Sequence, residues 1–389
     1  MLSAMNAPLH RDVPRIFLAS LFILVQVLVS FSLIPLYILH RGGTTTTVAA
    51  QTTLFAVASI LLRFFFGPMA DTRGRKPVLA IGTAAFALGN ISILYAPSLT
   101  VMAAARVVQA VGMASYLSAA SSLVADRTPR DRRGRVIGAY RMMLPLAFLI
   151  GPFIGNEVIN RFGFSAFFYT MAGMSTAAFL IVLTLSSDRS ETVRPGSMAI
   201  GRVFSLFASA PLRAAYIGIL VISIGGGIIV TYAVTWGQPY FPNAAVYFPP
   251  YALAGAVASY GLGALSDRLG RRAMLVPPFV TSAVGIALLT VIDRSPVAVF
   301  FISAALTGIG YNAGLSVLIS AVVDAADDSL RATALSLQES WIDGGFAVGI
   351  FLFGTLSAHY GMAPVFLGTG LFVMMGYVIV HAHYEPDRT

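Results

Sequence analysis

Gly263-Ala-Leu-Ser-Asp267-Arg-Leu-Gly270-Arg271-Arg272 decides the fold, because a copy, Gly67-Pro-Met-Ala-Asp71-Thr-Arg-Gly74-Arg75-Lys76, stands 196 residues earlier. Each copy follows a long apolar run and is itself short, basic and punctuated by glycine, which reads as a turn between two helices. A second pair lies downstream. Asp126 with Arg133-Gly134-Arg135 recurs as Asp324 with Arg331-Ala332-Thr333, at an offset of 198. Two separate pairs at nearly one offset predict an internal duplication of six helices. Both copies run in the same direction, as in parallel repeats related by an axis along the membrane normal.

The rest of the sequence supports a chain that lives in a bilayer. Of 389 residues, 57% are hydrophobic and only 11% are charged, against roughly 25% charged in a soluble domain. Crossing the hydrocarbon core takes about 20 apolar residues as a helix. Twelve such runs are read, at about 15–39, 48–70, 77–96, 99–125, 136–159, 164–186, 214–236, 245–265, 273–292, 297–323, 332–357 and 362–382. Unbroken runs of this length argue against a β-barrel, whose strands alternate. The expected fold is therefore all-α, with twelve transmembrane helices in two six-helix bundles, 1–186 and 214–389. A polar linker, 187–213, joins them. Pro14 and Arg15 lead into a first run too long for a signal peptide, so no cleavable signal is expected. The absence of cysteine removes disulfides, thiol catalysis and Cys metal sites.

Charge sets the orientation. If the N-terminus is cytoplasmic, 19 of the 25 basic residues fall on the cytoplasmic side. Arg41, Arg161 and Arg294 fall outside, and Arg63, Arg106 and Arg141 lie within helices. This satisfies the positive-inside rule and predicts two cytoplasmic termini. The net charge of +9 is thus a topology signal rather than a nucleic-acid footprint.

These motifs carry a family resemblance that covers nearly the whole chain. The G-x-x-x-D-x-x-G-R-[KR] turns resemble the signature of major facilitator superfamily transporters, with Thr72 in the first copy where a basic residue is usual. Arg106-Val-Val-Gln109-Ala-Val-Gly112 resembles that family's R-x-x-Q-G-x-G segment, with Ala110 replacing a glycine. Ala147-x-x-x-Gly151-Pro152-x-x-Gly155-Asn156 resembles the G-x-x-x-G-P-x-x-G-G segment of drug–proton antiporters and departs from it at Ala147 and Asn156. The resemblance implies that Asp71 faces the start of the eleventh helix near Arg331, and Asp267 the start of the fifth near Arg135. An aspartate there accepts from free N–H groups at a helix start. Such contacts would hold the outward-open state. In the alternative reading, Gly74 and Gly270 make tight turns, and the basic residues, Arg75 and Arg271 among them, only fix topology. Gly151 and Gly155 form a small-xxx-small pair, and Pro152 is expected to kink its helix.

Charge inside the membrane is expensive, roughly 2.5–3.5 kcal/mol for each central residue. Arg63, Arg106 and Arg141 should therefore have partners or face water. Glu339 and Asp343, spaced i, i+4, share one face of the eleventh helix. Two close carboxylates in low dielectric favour binding a proton, so Glu339 and Asp343 are proton-coupling candidates; Arg106, which resembles the helix 4 arginine that the family uses near the proton path, and Arg141 are the other two. Arg141 aligns with Glu339 at offset 198 and is read either as its switchable partner or as half of a fixed ion pair. Further cavity candidates are Gln26, Tyr37, Arg63, Gln109, Tyr116, Tyr232, Asn312 and Gln338. The aromatic group Trp236, Tyr240, Phe241, Tyr247 and Phe248 reads as an interfacial belt or an outer gate. No metal site, Walker A segment or cofactor motif is found.

The expected function is secondary active transport by alternating access, with no enzymatic activity: proton-coupled export of a small amphipathic compound or metabolite. Uptake of an organic anion is the alternative, since three interior arginines outnumber two carboxylates; lipid flipping is a third. The expected partners are a small-molecule substrate, H+ and the lipid bilayer, not nucleic acid. The expected state is a monomer, in a plasma membrane of bacterial type.

Overall fold

Apolar runs that cannot bond their backbone to lipid must bond it to themselves. The described part of the chain accordingly has helices and no strand. The computed structural model describes residues 10–129, 132–186, 209–327 and 331–383. Its α-helices are α1 (Asp12–Ser32), α2 (Ile34–His40), α3 (Thr45–Arg73), α4 (Arg75–Leu94), α5 (Leu99–Asp126), α6 (Arg133–Arg141), α7 (Met143–Leu183), α8 (Ala210–Gly237), α9 (Phe248–Leu269), α10 (Val276–Leu288), α11 (Pro296–Ala325), α12 (Arg331–Tyr360) and α13 (Met362–His383). Among the described residues, ten helical segments are long and apolar enough to cross a membrane. The predicted linker falls at 187–208 outside the described residues, and α8 begins at Ala210.

Prolines account for two breaks inside predicted runs. The first run divides between α1 and α2, where Pro35 stands at the helix start and offers no N–H to the carbonyl of Phe31. The fifth divides between α6 and α7, because Pro145 withholds the N–H that would bond the carbonyl of Arg141. Met142 there bonds back only three residues, to Ala139. The fifth and sixth runs meet within α7 at a kink, as predicted: Gly163, with φ of 79° and ψ of 175°, leaves helical geometry and turns the chain. The ninth run is α10 flanked by 3-10 turns at Ala273–Leu275 and Leu289–Arg294.

The fold gathers into two units. The first comprises Met1–Val29, Ala58–Gly151 and Arg161–Gly196; the second comprises Ser30–Val57, Pro152–Asn160 and Ser197–Thr389. The division cuts through α1, α3 and α7. Their ends remote from the basic turns pack in the second unit.

Within each unit the duplicated sequence makes the same joints. In the first, α4 packs along α5 with Gly89 against Gln109 and Gly112 against Phe86. In the second, α10 packs along α11 with Gly285 against Thr307 and Gly310 against Ser282. These residues correspond pair by pair at offsets of 196 and 198. Gly74 and Gly270 correspond too, with φ of 90° and 87°, as do Gly163 and Gly361 with φ of 79° and 78°. The most enclosed span of the second unit is α8, 89% of whose apolar window is buried. It packs against α12 through glycines: Gly227 meets the backbone of Phe346, and Gly349 meets that of Ile224. Hydrophobicity does not drive helices together in lipid, so such close approaches supply the contact.

Gly163→Ala tests the turn. A Cβ there meets nothing within 4 Å, so the effect is backbone strain alone. We expect a loss of about 1–3 kcal/mol, seen as a lower thermal unfolding midpoint in detergent. Gly173→Ala, equally open but inside the helix, should raise the midpoint slightly.

Candidate transport site

The buried face of α5 carries Met102, Ala105, Arg106, Gln109, Ala110 and Met113, spaced to turn one side inward. Arg106 is fully buried. Its Nη1 donates to Gln109 Oε1 at 2.8 Å, and Gln109 Nε2 donates to Asn90 Oδ1 at 2.8 Å. Asn90 Nδ2 then donates to Gln26 Oε1 at 2.7 Å, which also accepts from Ser175 Oγ at 2.7 Å. Helices α1, α4, α5 and α7 are thereby joined by one polar chain. Its direction is forced: a guanidinium only donates, so each amide turns its oxygen toward Arg106 and its nitrogen away. The chain ends on Gln26 Nε2, which is buried without a hydrogen-bond partner. In the same unit, the hydroxyl of Ser20 meets those of Tyr116 at 3.0 Å and Tyr140 at 3.1 Å.

The basic turns are built alike in both units. Arg75 Nε contacts Asp126 Oδ2 at 2.5 Å, and Arg271 Nε contacts Asp324 Oδ2 at 2.9 Å. Asp71, exposed, lies 3.5 Å from Arg75 Nη1. The next basic residue closes a helix end. Lys76 Nζ donates to the carbonyls of Leu183 and Leu185, and Arg272 Nη2 donates to that of His381. A cation on the last carbonyls of a helix also meets the negative end of its dipole. The expected contacts of Asp267 and of Arg135 and Arg331 fall on side chains outside the described set.

In the second unit Glu339 is exposed and Asp343 half-buried on α12. Buried Gln338 donates through Nε2 to Glu339 Oε1 at 3.3 Å. Both carboxylates lie within electrostatic reach of Tyr311. Tyr311 belongs to an aromatic column. It faces Phe346 at 5.9 Å and Tyr251 at 6.5 Å, and Phe346 faces Phe31 at 6.0 Å. The column continues from Tyr251 to Tyr247 and Phe300.

The other candidates are dispersed. Tyr232 donates to the Ile350 carbonyl at 3.3 Å, and Asn312 to the Gly308 carbonyl at 3.0 Å. Tyr37 accepts from Arg41 Nη1 at 2.9 Å. Arg63 is half-buried on α3, and Arg141 is exposed at the end of α6. Gly151 lies against Val25, leaving a Cβ only 3.0 Å from it. Pro152 is inside α7, and Gly155 is buried. The interfacial belt reading fails for Tyr247 and Phe248, which are wholly enclosed by protein.

Sequence reading found Gln26, Arg106 and Gln109 but missed Asn90 and Ser175, which connect them. It followed charge, and the runs at 77–96 and 164–186 have none inside. An amide alone in an apolar span was the available signal.

Long apolar helices, duplicated basic turns and polar side chains enclosed within the spans define a multi-pass membrane transporter rather than an enzyme. The family model described as Major Facilitator Superfamily matches residues 16–245 and 243–389, and the chain belongs to that family. Among its relatives is "Multidrug resistance protein MdtG" of Serratia proteamaculans, 25% identical over 372 residues, covering 90% of this chain and 89% of the relative. "Quinolone resistance protein NorA" of Staphylococcus aureus is 23% identical over 166 residues, 42% of each chain. A crystal structure of the nucleoside transporter NupG superposes with a TM-score of 0.84 at 14% identity, covering 96% of this chain and all of that one.

Asn90→Leu should leave the facing amides of Gln26 and Gln109 without their shared partner. Gln26 Oε1 keeps Ser175, but the buried Gln109 Nε2 is orphaned at a cost of about 1–3 kcal/mol, so the unfolding midpoint in detergent should fall clearly. Thr83→Val, which removes a hydroxyl bonded only to carbonyls of its own helix, should change it little.

Proposed function

We propose that the chain crosses the membrane twelve times, with both termini cytoplasmic, and exports a small amphipathic compound by alternating access in exchange for protons. The count is supported by the ten long apolar segments, with α7 taken as two crossings about Gly163 and α9 as one more. The two bundles, 1–186 and 214–389, are the proposed moving bodies, in a bacterial inner membrane. The exporting direction is supported by the relatives' names, one a multidrug and the other a quinolone resistance protein.

The observation that carries proton coupling is the pair Glu339 and Asp343, one turn apart on α12, the first exposed and the second half-buried. Two acidic side chains on one face of the helix offer the cycle a place to carry a proton. Arg106 and Arg141 supply the opposing positive charge, and Asp71 and Asp267 the inner gate. Uptake of an organic anion remains the second reading. It is favoured by Arg106, a fully buried donor.

Inverted vesicles energised with a proton gradient and reporting lumen pH test the coupling. A transported compound should release lumenal protons in the native protein. Glu339→Gln should abolish that release while still allowing movement down the compound's own gradient. Proton release at the native rate in Glu339→Gln would refute the assignment.

A further inference from the structure

We propose that Asn156 and Asn243 are positioning residues of the transport cycle, an amide clasp that holds the ends of the helices remote from the basic turns together. Asn243 lies in the link between α8 and α9 and uses its side chain fully. Its Oδ1 accepts from Asn156 Nδ2 at 2.9 Å and from the N–H of Ala245 at 3.2 Å. Its Nδ2 donates to the carbonyl of Phe153 and to Glu157 Oε2, both at 3.1 Å. One residue earlier in the link, the Pro242 carbonyl accepts from Asn160 Nδ2 at 2.5 Å.

The four α7 positions, 153, 156, 157 and 160, are spaced i, i+3, i+4 and i+7 and so form one stripe along the helix. This stripe falls within Pro152–Asn160, the short part of α7 that packs in the second unit while its flanks pack in the first. Asn156 stands where the resembled helix-five segment carries glycine. A glycine could not reach Asn243, so the departure creates the contact.

Two features suit the clasp to being opened and closed. The contacts are amide to amide, amide to carbonyl and amide to the Glu157 carboxylate, all of which water can replace once the site is wet. Asn156 Oδ1 is buried with no hydrogen-bond partner, so the closed state keeps an acceptor that opening would hydrate. A permanent joint would be expected to satisfy it.

The inference rests on alternating access, but not on export or proton coupling. The absence of cysteine allows a single reporter thiol. Ala49→Cys places one at a fully buried position of α3, an element that contributes no residue to the clasp, within the second unit. Its reaction with a maleimide is followed in detergent, where membrane sidedness does not enter. Asn243→Ala and Asn156→Gly should each speed labelling about two- to tenfold, the ratio that loss of one net hydrogen bond gives. Asn156→Gly restores the residue of the resembled segment and guards against misfolding. Thr355→Val, removing a hydroxyl bonded only within α12, should leave the rate alone. Unchanged labelling in both asparagine variants overturns the proposal, as does equal acceleration in Thr355→Val. Neither substrate nor proton gradient is used, so this test can fail while the coupling assignment stands, and the reverse.

Discussion

Helices in a bilayer gain little from hiding apolar surface from one another, because lipid is as apolar as they are. Close backbone approach takes over that role, and the main joints of this protein depend on it. Gly308 sits against the backbone of Tyr251, Gly349 against Ile224 and Gly310 against Ser282, at separations that leave no room for a Cβ. These joints fix where the neighbouring side chains stand. Tyr251 can face Tyr311 because α9 meets α11 so closely, and Phe346 reaches Tyr311 beside the glycines of α8.

A second constraint follows from the same medium. Polar atoms removed from water must find each other, and here they do so in strings. The string through Arg106, Gln109, Asn90 and Gln26 fixes the orientation of three amides from one donor-only end. In the second unit, Tyr247 meets Ser303 and Thr307 through hydroxyls. Hydroxyls can donate or accept, so that string is not directed in the same way.

The sequence made the large features legible. Repeated basic turns disclosed the duplication, and the spacing of Gly74 and Gly270 marked positions where the backbone takes a conformation open almost only to glycine. The transporter family also followed from these motifs. Other features depended on partners that no local pattern names. Asn90 looks like an isolated amide until Gln26 and Gln109 are beside it. Asn243 looks like an ordinary turn residue until α7 arrives. The aromatic residues around 240–248 read as a belt because hydropathy cannot separate a ring facing lipid from one facing Phe300. Breaks were readable in principle: Pro35 and Pro145 each remove one helical donor, but length had suggested continuous spans.

The paired seams have one more implication. Gly89 on Gln109 in the first unit corresponds to Gly285 on Thr307 in the second, so the scaffold contact survived duplication while the residue opposite the glycine changed. Asn90 likewise has Ile286 as its counterpart. A duplicated gene in this arrangement keeps two sets of building instructions for one frame and is at liberty to furnish each differently. Divergence has given the first copy a string of buried amides and the second a tyrosine held by Ser303 and Thr307, so two halves assembled by the same rules differ in the polar groups they enclose.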